Sequence, residues 1–446
     1  MKNPKITLDG VSRRDFVKTS AAVVGSLIAA QFPDSASAFY PSDDAINIGL
    51  IGCGGRGTGA AVQALSTSQN VRLVAMADVF QDQLEDSLDN ITKADADHAD
   101  AVAGRVDVPK DRQFVGFEAY KQVVPLVDVL VIATPPGFRP IHFAAAIEAD
   151  KHVFMEKPLA TDSPGIRSVL ETAQRAKQKK LNVVVGLQRH YQIRYQRWVE
   201  QLQNGMIGEI TISRVYWNSA GVWVRERKPG QTEMEYQMRN WYYFTWLCGD
   251  HIVEQHIHNI DVSNWVKQGY PVRAQGQGGR LIRTGPDHGQ IFDHHYVEYE
   301  YEDGSRMISQ CRHMPDCMNR VSEAFHGSNG VAPRPGVIQS SSGHTLFEHE
   351  GKTDPDPYQV EHDELFAAIA AGEYKFADAE YGAKSTFTAI LGRMATYSGQ
   401  VLEWDEALNS DVSLMPETFS FDADPPVLPD AEGHYPVPEP GMSMVI

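Results

Sequence analysis

The chain has 446 residues, with 58 Asp and Glu against 40 Lys and Arg and a formal charge of −18 at pH 7. So acidic a surface argues against nucleic acid and against anionic lipid as partners, and the roughly 400 residues that follow the N-terminal segment are enough for two sizeable cores. Four cysteines are too few for a disulfide scaffold; Cys311 and Cys317 are near enough in sequence to pair, but free thiols are the preferred reading.

Residues 1–38 read as a targeting segment. Ser12-Arg13-Arg14-Asp15-Phe16-Val17-Lys18 is a twin-arginine motif, a moderately apolar run follows from Ala21 to Ala30, and Ala36-Ser37-Ala38 offers a small-residue cleavage site. The apolar run is too short to span a bilayer, and no later stretch is long and apolar enough to do so. The mature chain is expected to begin near Phe39 and to be periplasmic or otherwise extracytoplasmic.

Asn47 to Ile51 is a short apolar run of the kind a buried parallel strand requires. It feeds Gly52-Cys53-Gly54-Gly55-Arg56-Gly57, which fits G-x-G-x-x-G, and a helix over 58–66. In such a turn the first glycine bends the chain and the second lets backbone approach a pyrophosphate. The third packs the helix against the strand, so that the helix N-terminus faces the phosphates. Context strengthens what is a weak signal alone: a second strand over 71–77 ends at Asp78, 21 residues beyond Gly57. An acid there accepts from the adenosine ribose and repels a 2′-phosphate, which favours NAD over NADP; the same residue would also serve as a helix N-cap.

Further α/β units follow. A strand over 127–133 is stopped by Thr134-Pro135-Pro136, at the sheet edge where such folds bind ligands. A helix over 141–149, a strand over 152–155 ending in Glu156-Lys157-Pro158, a helix over 162–179 and a strand over 183–187 complete the pattern. Alternation throughout predicts a parallel, doubly wound α/β sheet over 44–188.

From residue 189 the pattern changes. Arg189-His190 sits at a strand end, placed to reach a substrate. A helix over 192–204, a strand over 210–217 and a polar, loop-like stretch over 225–240 come next. Four of the seven tryptophans fall between Trp217 and Trp246; these rings suit sugar faces, but core is the commoner use of any one of them. Strands over 271–283, 294–301 and 305–311, with helices over 358–371 and 379–398, predict an α+β domain over 189–411 with an open, largely antiparallel sheet. The Pro- and acid-rich tail over 412–446 is expected to be irregular.

Residues 251–261 read HIVEQHIHNID. On one helix Glu254 and His258 share a face, with Asp261 three residues further along it. Imidazole suits proton abstraction near neutral pH, and a neighbouring carboxylate would orient the ring and raise its basicity. Asp261 is expected to support helix or ring from behind. A metal held by His251, Glu254 and His258 is disfavoured, because His251 and His258 would lie two turns, roughly 10 Å, apart; no metal is expected. His256 points elsewhere and reads as a satisfied structural histidine. A polar helix without chemistry is the bland alternative.

The order G-x-G-x-x-G, acid, T-P-P, E-K-P-L-A, and a strand ending in Gln188-Arg189 resembles the Gfo/Idh/MocA oxidoreductases over residues 45 to 408. The resemblance implies an N-terminal Rossmann domain, and a cofactor site at Gly52, Gly54, Gly55, Arg56, Gly57, Asp78, Thr134, Pro135, Glu156 and Lys157. It implies that Lys157 lies beside the nicotinamide and the reacting carbinol, with a cis bond before Pro158. The family's Asp-x-x-x-His-x-x-Asp pattern falls on Glu254, His258 and Asp261, with glutamate replacing aspartate. Carried over, Lys157, His258 and Glu254 are catalytic, and Arg189, His190, Glu254 and His258 contact a carbohydrate or cyclitol. The open sheet is implied to join subunits into a dimer or tetramer. Export of a folded protein suits tightly held NAD. Two alternatives stay open: a glycosidase acting by transient oxidation and elimination, and a non-catalytic, NAD-containing carbohydrate-binding protein.

Overall fold

The structure, a computed structural model, describes residues 45–94 and 98–446. The twin-arginine segment expected over 1–38 lies outside the described residues.

Fifteen strands form two sheets among the described residues. The first comprises β1 (Ile46–Ile51), β2 (Val71–Asp78), β3 (Gln113–Val115), β4 (Val129–Ile132), β5 (His152–Met155) and β6 (Val183–Val185). They run parallel in the order β3-β2-β1-β4-β5-β6, so the order reverses between β1 and β4. A crevice opens at such a point beyond the strands' carboxyl ends. The strands are nearly continuous apolar runs because helices cover both faces. Every residue of β4 is buried, and Val123, Ile147, Val169 and Ala173 pack from the connecting segments. This sheet is the parallel α/β half that the alternation predicted; the three-residue β3 was too short to read.

The second sheet holds β7 (Ile210–Ser219), β8 (Pro271–Gly279), β9 (His294–Tyr301), β10 (Arg306–His313), β11 (Arg320–Gly327), β12 (Gly330–Arg334), β13 (Val337–Ser340), β14 (Thr345–Glu348) and β15 (Leu402–Glu403). The order is β14-β13-β12-β11-β7-β10-β9-β8-β15. All neighbours are antiparallel except β7 and β10, which run parallel. One face packs on the helices Ile257–Lys267 and Ala379–Ser398, through Val215, Val297, Tyr299, Met307, Ile260, Phe387 and Ile390. The other carries charge and polarity across its centre, as in the pairs Arg273–Glu300 and Arg306–Glu298.

Three local expectations are corrected. The polar stretch 225–240 contains a helix, Glu233–Arg239, whose start is capped by Thr232 Oγ1 accepting from the Glu235 N–H at 3.2 Å. Its Met234, Tyr236 and Met238 are buried, so a short apolar face sits inside a charged segment. Residues 251–261 are not one helix. His251–Glu254 and Ile257–Lys267 are separate segments, because the His256 N–H reaches back five residues to the His251 carbonyl at 3.2 Å. That bond inserts an extra residue, so the four-apart spacing of Glu254 and His258 does not put them on one helical face. Finally, all four cysteines are free thiols, so Cys311 and Cys317 do not pair.

The tail has no regular structure, yet it is anchored. Phe419 and Phe421 pack on Phe117, and Phe421 stacks on Phe80 at 5.4 Å between centroids. The Leu414 N–H donates to Asp162 at 2.7 Å. Among the described residues no helix is long and apolar enough to cross a membrane.

Candidate active site

The glycine turn between β1 and the helix Gly55–Leu65 has the shape its sequence calls for. Gly52 sits at φ +92, and a Cβ on Gly57 would fall 2.0 Å from the Gly52 carbonyl oxygen. Neither position tolerates a side chain. Gly54 and Gly55, by contrast, face open space, with nothing within 4 Å of a built Cβ. The first intrahelical bond is from the Thr58 N–H to the Gly54 carbonyl. The N–H groups of Gly55, Arg56 and Gly57 therefore point out of the helix start, as a phosphate requires.

Beside the turn lies a cleft of about 1040 Å³ lined by Gly52, Gly54, Gly55, Arg56, Gly57, Asp78, Thr134 and Pro135. Eight of the ten expected cofactor residues thus share one cavity. Asp78 ends β2 and accepts from the Cys53 N–H at 2.7 Å and the Phe80 N–H at 2.9 Å. Burial raises its pKa against those two bonds, and each oxygen keeps a further lone pair for a ribose hydroxyl. Open room over Gly54 and Gly55, outward N–H groups and a carboxylate at the next strand end fit an NAD molecule.

Sequence reasoning missed half of the cleft. Phe80, Phe138 and His142 line it from the first domain, and Trp223 to Pro229, Met238, Arg239 and Trp241 from the second. Arg239 clasps Asp82 with two bonds of 2.7 and 2.9 Å and lies 3.6 Å over the Phe80 ring. His142 meets Thr134 Oγ1 at 3.1 Å, and burial, then Arg139, push its pKa down to about 3. Its place one turn into the helix after Thr134-Pro135-Pro136 was the available signal. The second-domain contributors lie about 170 to 190 residues from the glycine turn and carried no motif.

Lys157 follows β5, whose neighbour β4 delivers Thr134 to the cleft; Met155 and Ile132 are register partners. The Lys157–Pro158 peptide is cis, as expected. Lys157 Nζ donates to Glu254 twice, to the backbone oxygen at 2.6 Å and to Oε1 at 2.9 Å. Both side chains are close to nine-tenths buried. A lysine of the first domain and a glutamate of the second therefore meet directly. Glu254 Oε2 is buried without a partner.

His258 is buried and stacks on Trp217, with centroids 6.0 Å apart. Burial, and next the Lys157 charge, hold its pKa well below the usual histidine value. Here the structure differs from expectation. Glu254 bonds Lys157, so it is not the carboxylate that raises His258 basicity. Asp261 does not support His258 either: His190 Nε2 donates to Asp261 Oδ2 at 2.8 Å, and Ser385 to Oδ1 at 2.7 Å. His190 also stacks between Trp265 and Tyr381, at 4.1 and 4.7 Å.

Three expected site residues are turned inward. The Arg56 guanidinium pairs with Glu156 and Glu361 and lies 5.0 Å over Tyr358, so its backbone N–H rather than its charge faces the cleft. Glu156 is spent on that pair, tying the glycine turn to the strand that bears Lys157. Arg189 is buried against Glu323, which also accepts from Tyr195 at 2.9 Å. His256 donates to or accepts from Ser309 Oγ at 2.9 Å in the core, as a structural histidine does.

Known proteins resemble this chain in sequence and in fold. Residues 46–186 match the sequence model of GFO_IDH_MocA, described as an oxidoreductase family with an NAD-binding Rossmann fold. An inositol 2-dehydrogenase of Serratia proteamaculans is 27% identical over 371 residues, covering 80% of this chain and 96% of that one. A glycosyl hydrolase family 109 protein of Shewanella pealeana is 26% identical over 183 residues, 37% of each chain. In fold, the chain is similar to an aldose–aldose oxidoreductase of Caulobacter crescentus (TM-score 0.61, 14% identity, covering 81% and 100% of the two chains). It is also similar to a scyllo-inositol dehydrogenase of Lactobacillus casei with bound NAD(H) and scyllo-inositol (TM-score 0.59, 18% identity, 81% and 100%). Residues 46–186 thus match an NAD-binding Rossmann domain of the Gfo/Idh/MocA type, and the chain is an NAD-dependent oxidoreductase.

Proposed function

We propose that this enzyme moves hydride between a secondary hydroxyl of a sugar, glycoside or cyclitol and NAD held in the cleft. The observation that carries the reading is the Lys157–Glu254 contact, 2.9 Å long, beside an uncharged His258. NAD, when bound, supplies the hydride acceptor. The chain's own groups do the rest. An ammonium has three donors; two of Lys157's go to Glu254, and the third serves the substrate oxygen and offsets its developing negative charge. His258 takes the hydroxyl proton. Burial, and next the Lys157 charge, leave it in the unprotonated form that a base needs. Glu254 Oε2, buried and unpartnered, receives a neighbouring hydroxyl, and His190, steadied by Asp261, another. Arg189 and Glu156 act through their ion pairs as positioning residues.

The similarity to inositol 2-dehydrogenases and to an aldose–aldose oxidoreductase supports a polyol or sugar substrate. The segment Trp223 to Pro229 and the Arg239–Asp82 clasp line the cofactor side, which supports retention of NAD between turnovers in an exported enzyme. Half-exposed Tyr296 and Ile212 on the open face of the second sheet favour association of copies through that face.

A second reading has its own support, in the partial similarity to glycosyl hydrolase family 109 proteins. With the same groups, hydride would pass from a hydroxyl-bearing ring carbon to bound NAD, the adjacent C–H would become acidic and the aglycone would leave by elimination. Water would then add to the unsaturated ring, and the hydride would be returned to the ketone. The test is to denature purified protein, identify the released nucleotide, and screen polyols, sugars and glycosides against the intact protein. Reduction of the bound nicotinamide by a polyol or sugar without aglycone release supports the first reading. Aglycone release without added oxidant supports the second. A chain that carries NAD and gives neither sinks both.

A further inference from the structure

Beneath the helix His251–Glu254 lies a second cluster that the proposed reaction does not use. Asp250 opens that helix, His295 comes from the inner side of β9 and His313 ends β10. None of Asp250, His251, His295 or His313 is more than 3% exposed. One donor atom from each of Asp250, His251 and His295 lies within 4.8 Å of the other two. His295 Nε2 is 3.1 Å from Asp250 Oδ1, and His251 Nε2 is 3.9 Å from the same oxygen. Two ligands of a tetrahedral zinc ion, each about 2.1 Å from it, stand about 3.4 Å apart, a value these two separations bracket.

Thr396 Oγ1 stands 2.9 Å from His295 Nδ1, which leaves His295 Nε2 aimed at Asp250 Oδ1. Both nitrogens of His251 are buried with no hydrogen-bond partner, and a metal ion takes a lone pair from one of them. His313 stacks on His251 at 4.3 Å, and its two nitrogens are also unpartnered, so a further imidazole stands next to the cluster. Asp250 is itself fixed by the N–H groups of His251 and Phe292 and by the Tyr397 hydroxyl, and Thr396 orients His295. Such outer contacts are what metal-binding carboxylates and imidazoles have.

We propose that Asp250, His251 and His295 bind one divalent transition-metal ion of the zinc type, as a buried structural centre that fixes the start of the helix bearing Glu254. The ligands are borderline nitrogens and one oxygen, a set that suits zinc over calcium or magnesium. The centre is apart from the carbinol site: His295, Cys311 and Trp217 are register partners across β9, β10 and β7, which puts His295 two strands, about 10 Å, from the tryptophan that touches His258.

The test uses untagged, full-length protein purified without chelator. Elemental analysis is expected to give about one equivalent of zinc or a similar first-row metal per chain. After stripping with dipicolinate, Co²⁺ should restore Tm and develop visible ligand-field bands that saturate at about one equivalent. His251→Gln and His295→Gln should each lose the bands and the metal. If these variants do not fold, X-ray absorption on the wild-type metal should read imidazole nitrogens and one carboxylate oxygen. No metal, with no bands and no Tm change on adding Zn²⁺ or Co²⁺ to wild type, overturns the proposal in favour of a direct His295–Asp250 hydrogen bond. Metal retained in full by both variants, or a coordination shell lacking imidazole, overturns it as well.

Discussion

Glu254 occupies the position where the family pattern has aspartate, and its longer side chain meets Lys157 rather than His258. Removing its charge breaks a pair that is close to nine-tenths buried. Glu254→Gln should therefore slow reduction of bound NAD by about 10²-fold or more, with a larger effect on kcat than on KM, read by single-turnover absorbance. His258→Asn should slow it by about 10²- to 10⁴-fold while the purified protein keeps its nucleotide. A variant with unchanged rate would remove that residue from the chemistry. Asp78→Ala leaves the N–H groups of Cys53 and Phe80 without their acceptor and removes the charge that repels a 2′-phosphate. Reconstituted variant should bind NAD about 10-fold more weakly and discriminate less against NADP, measured by titration. At this scale the sequence was legible where chemistry is local. Gly52, Gly57 and Asp78 could be read because spacing alone imposes their geometry. The partners of Arg56 and Asp261 could not: Glu156 lies 100 residues from Arg56, and His190 lies 71 from Asp261.

The same limit shows in the elements. Strands of the first sheet could be read because burial on both faces demands unbroken Val, Ile and Leu. Strands β11 to β14 escaped: they lie toward one edge of the second sheet, β12 and β13 have only five and four residues, and β14 is exposed at three of its four positions. The helix Glu233–Arg239 carried a legible start, Thr232 with Glu235 three residues on, hidden by the charge around it. The break after Glu254 has no marker at all; neither Gly nor Pro occurs between His251 and Asp261. The glycine turn gives the sharpest element-level prediction. Gly57→Ala drives a Cβ into the Gly52 backbone, which should cost about 1–3 kcal/mol and lower Tm. Gly54→Ala meets no protein atom, so it should leave Tm of the nucleotide-free protein unchanged while reducing the nucleotide that copurifies. Equal Tm losses in the two would show that the space over Gly54 is not a ligand cradle.

Across the whole molecule, buried uncharged histidines set the response to acid. Burial, then Arg139, lowers His142 to about 3; burial lowers His152 to about 4; burial, then Arg56, holds His362 well below its usual value. Each takes up a proton in the unfolded chain near pH 6.5 but not in the folded one. Their stabilisation is complete above pH 6.5 and is lost as pH falls toward 4, at about 1.4 kcal/mol per pH unit for each ring. Asp378, raised by burial to about 6, has the opposite sign between pH 6 and 4 and offsets one ring of the three. Tm should therefore fall steadily from pH 7 to 4.5; a flat profile would mean that these rings are hydrated or paired in solution. At this scale too, packing of the first sheet's carboxyl edge against the helix His251–Glu254 is what brings Lys157 to Glu254, and that convergence is the claim on which the functional account rests. Its most direct test is a single-turnover experiment with the polyol, sugar or glycoside that the screen identifies, comparing wild type with Lys157→Ala at equal nucleotide content. Wild type should show nicotinamide absorbance rising to about one reduced cofactor per chain, with the variant slower by about 10²-fold or more. Equal rates in the two proteins would contradict it.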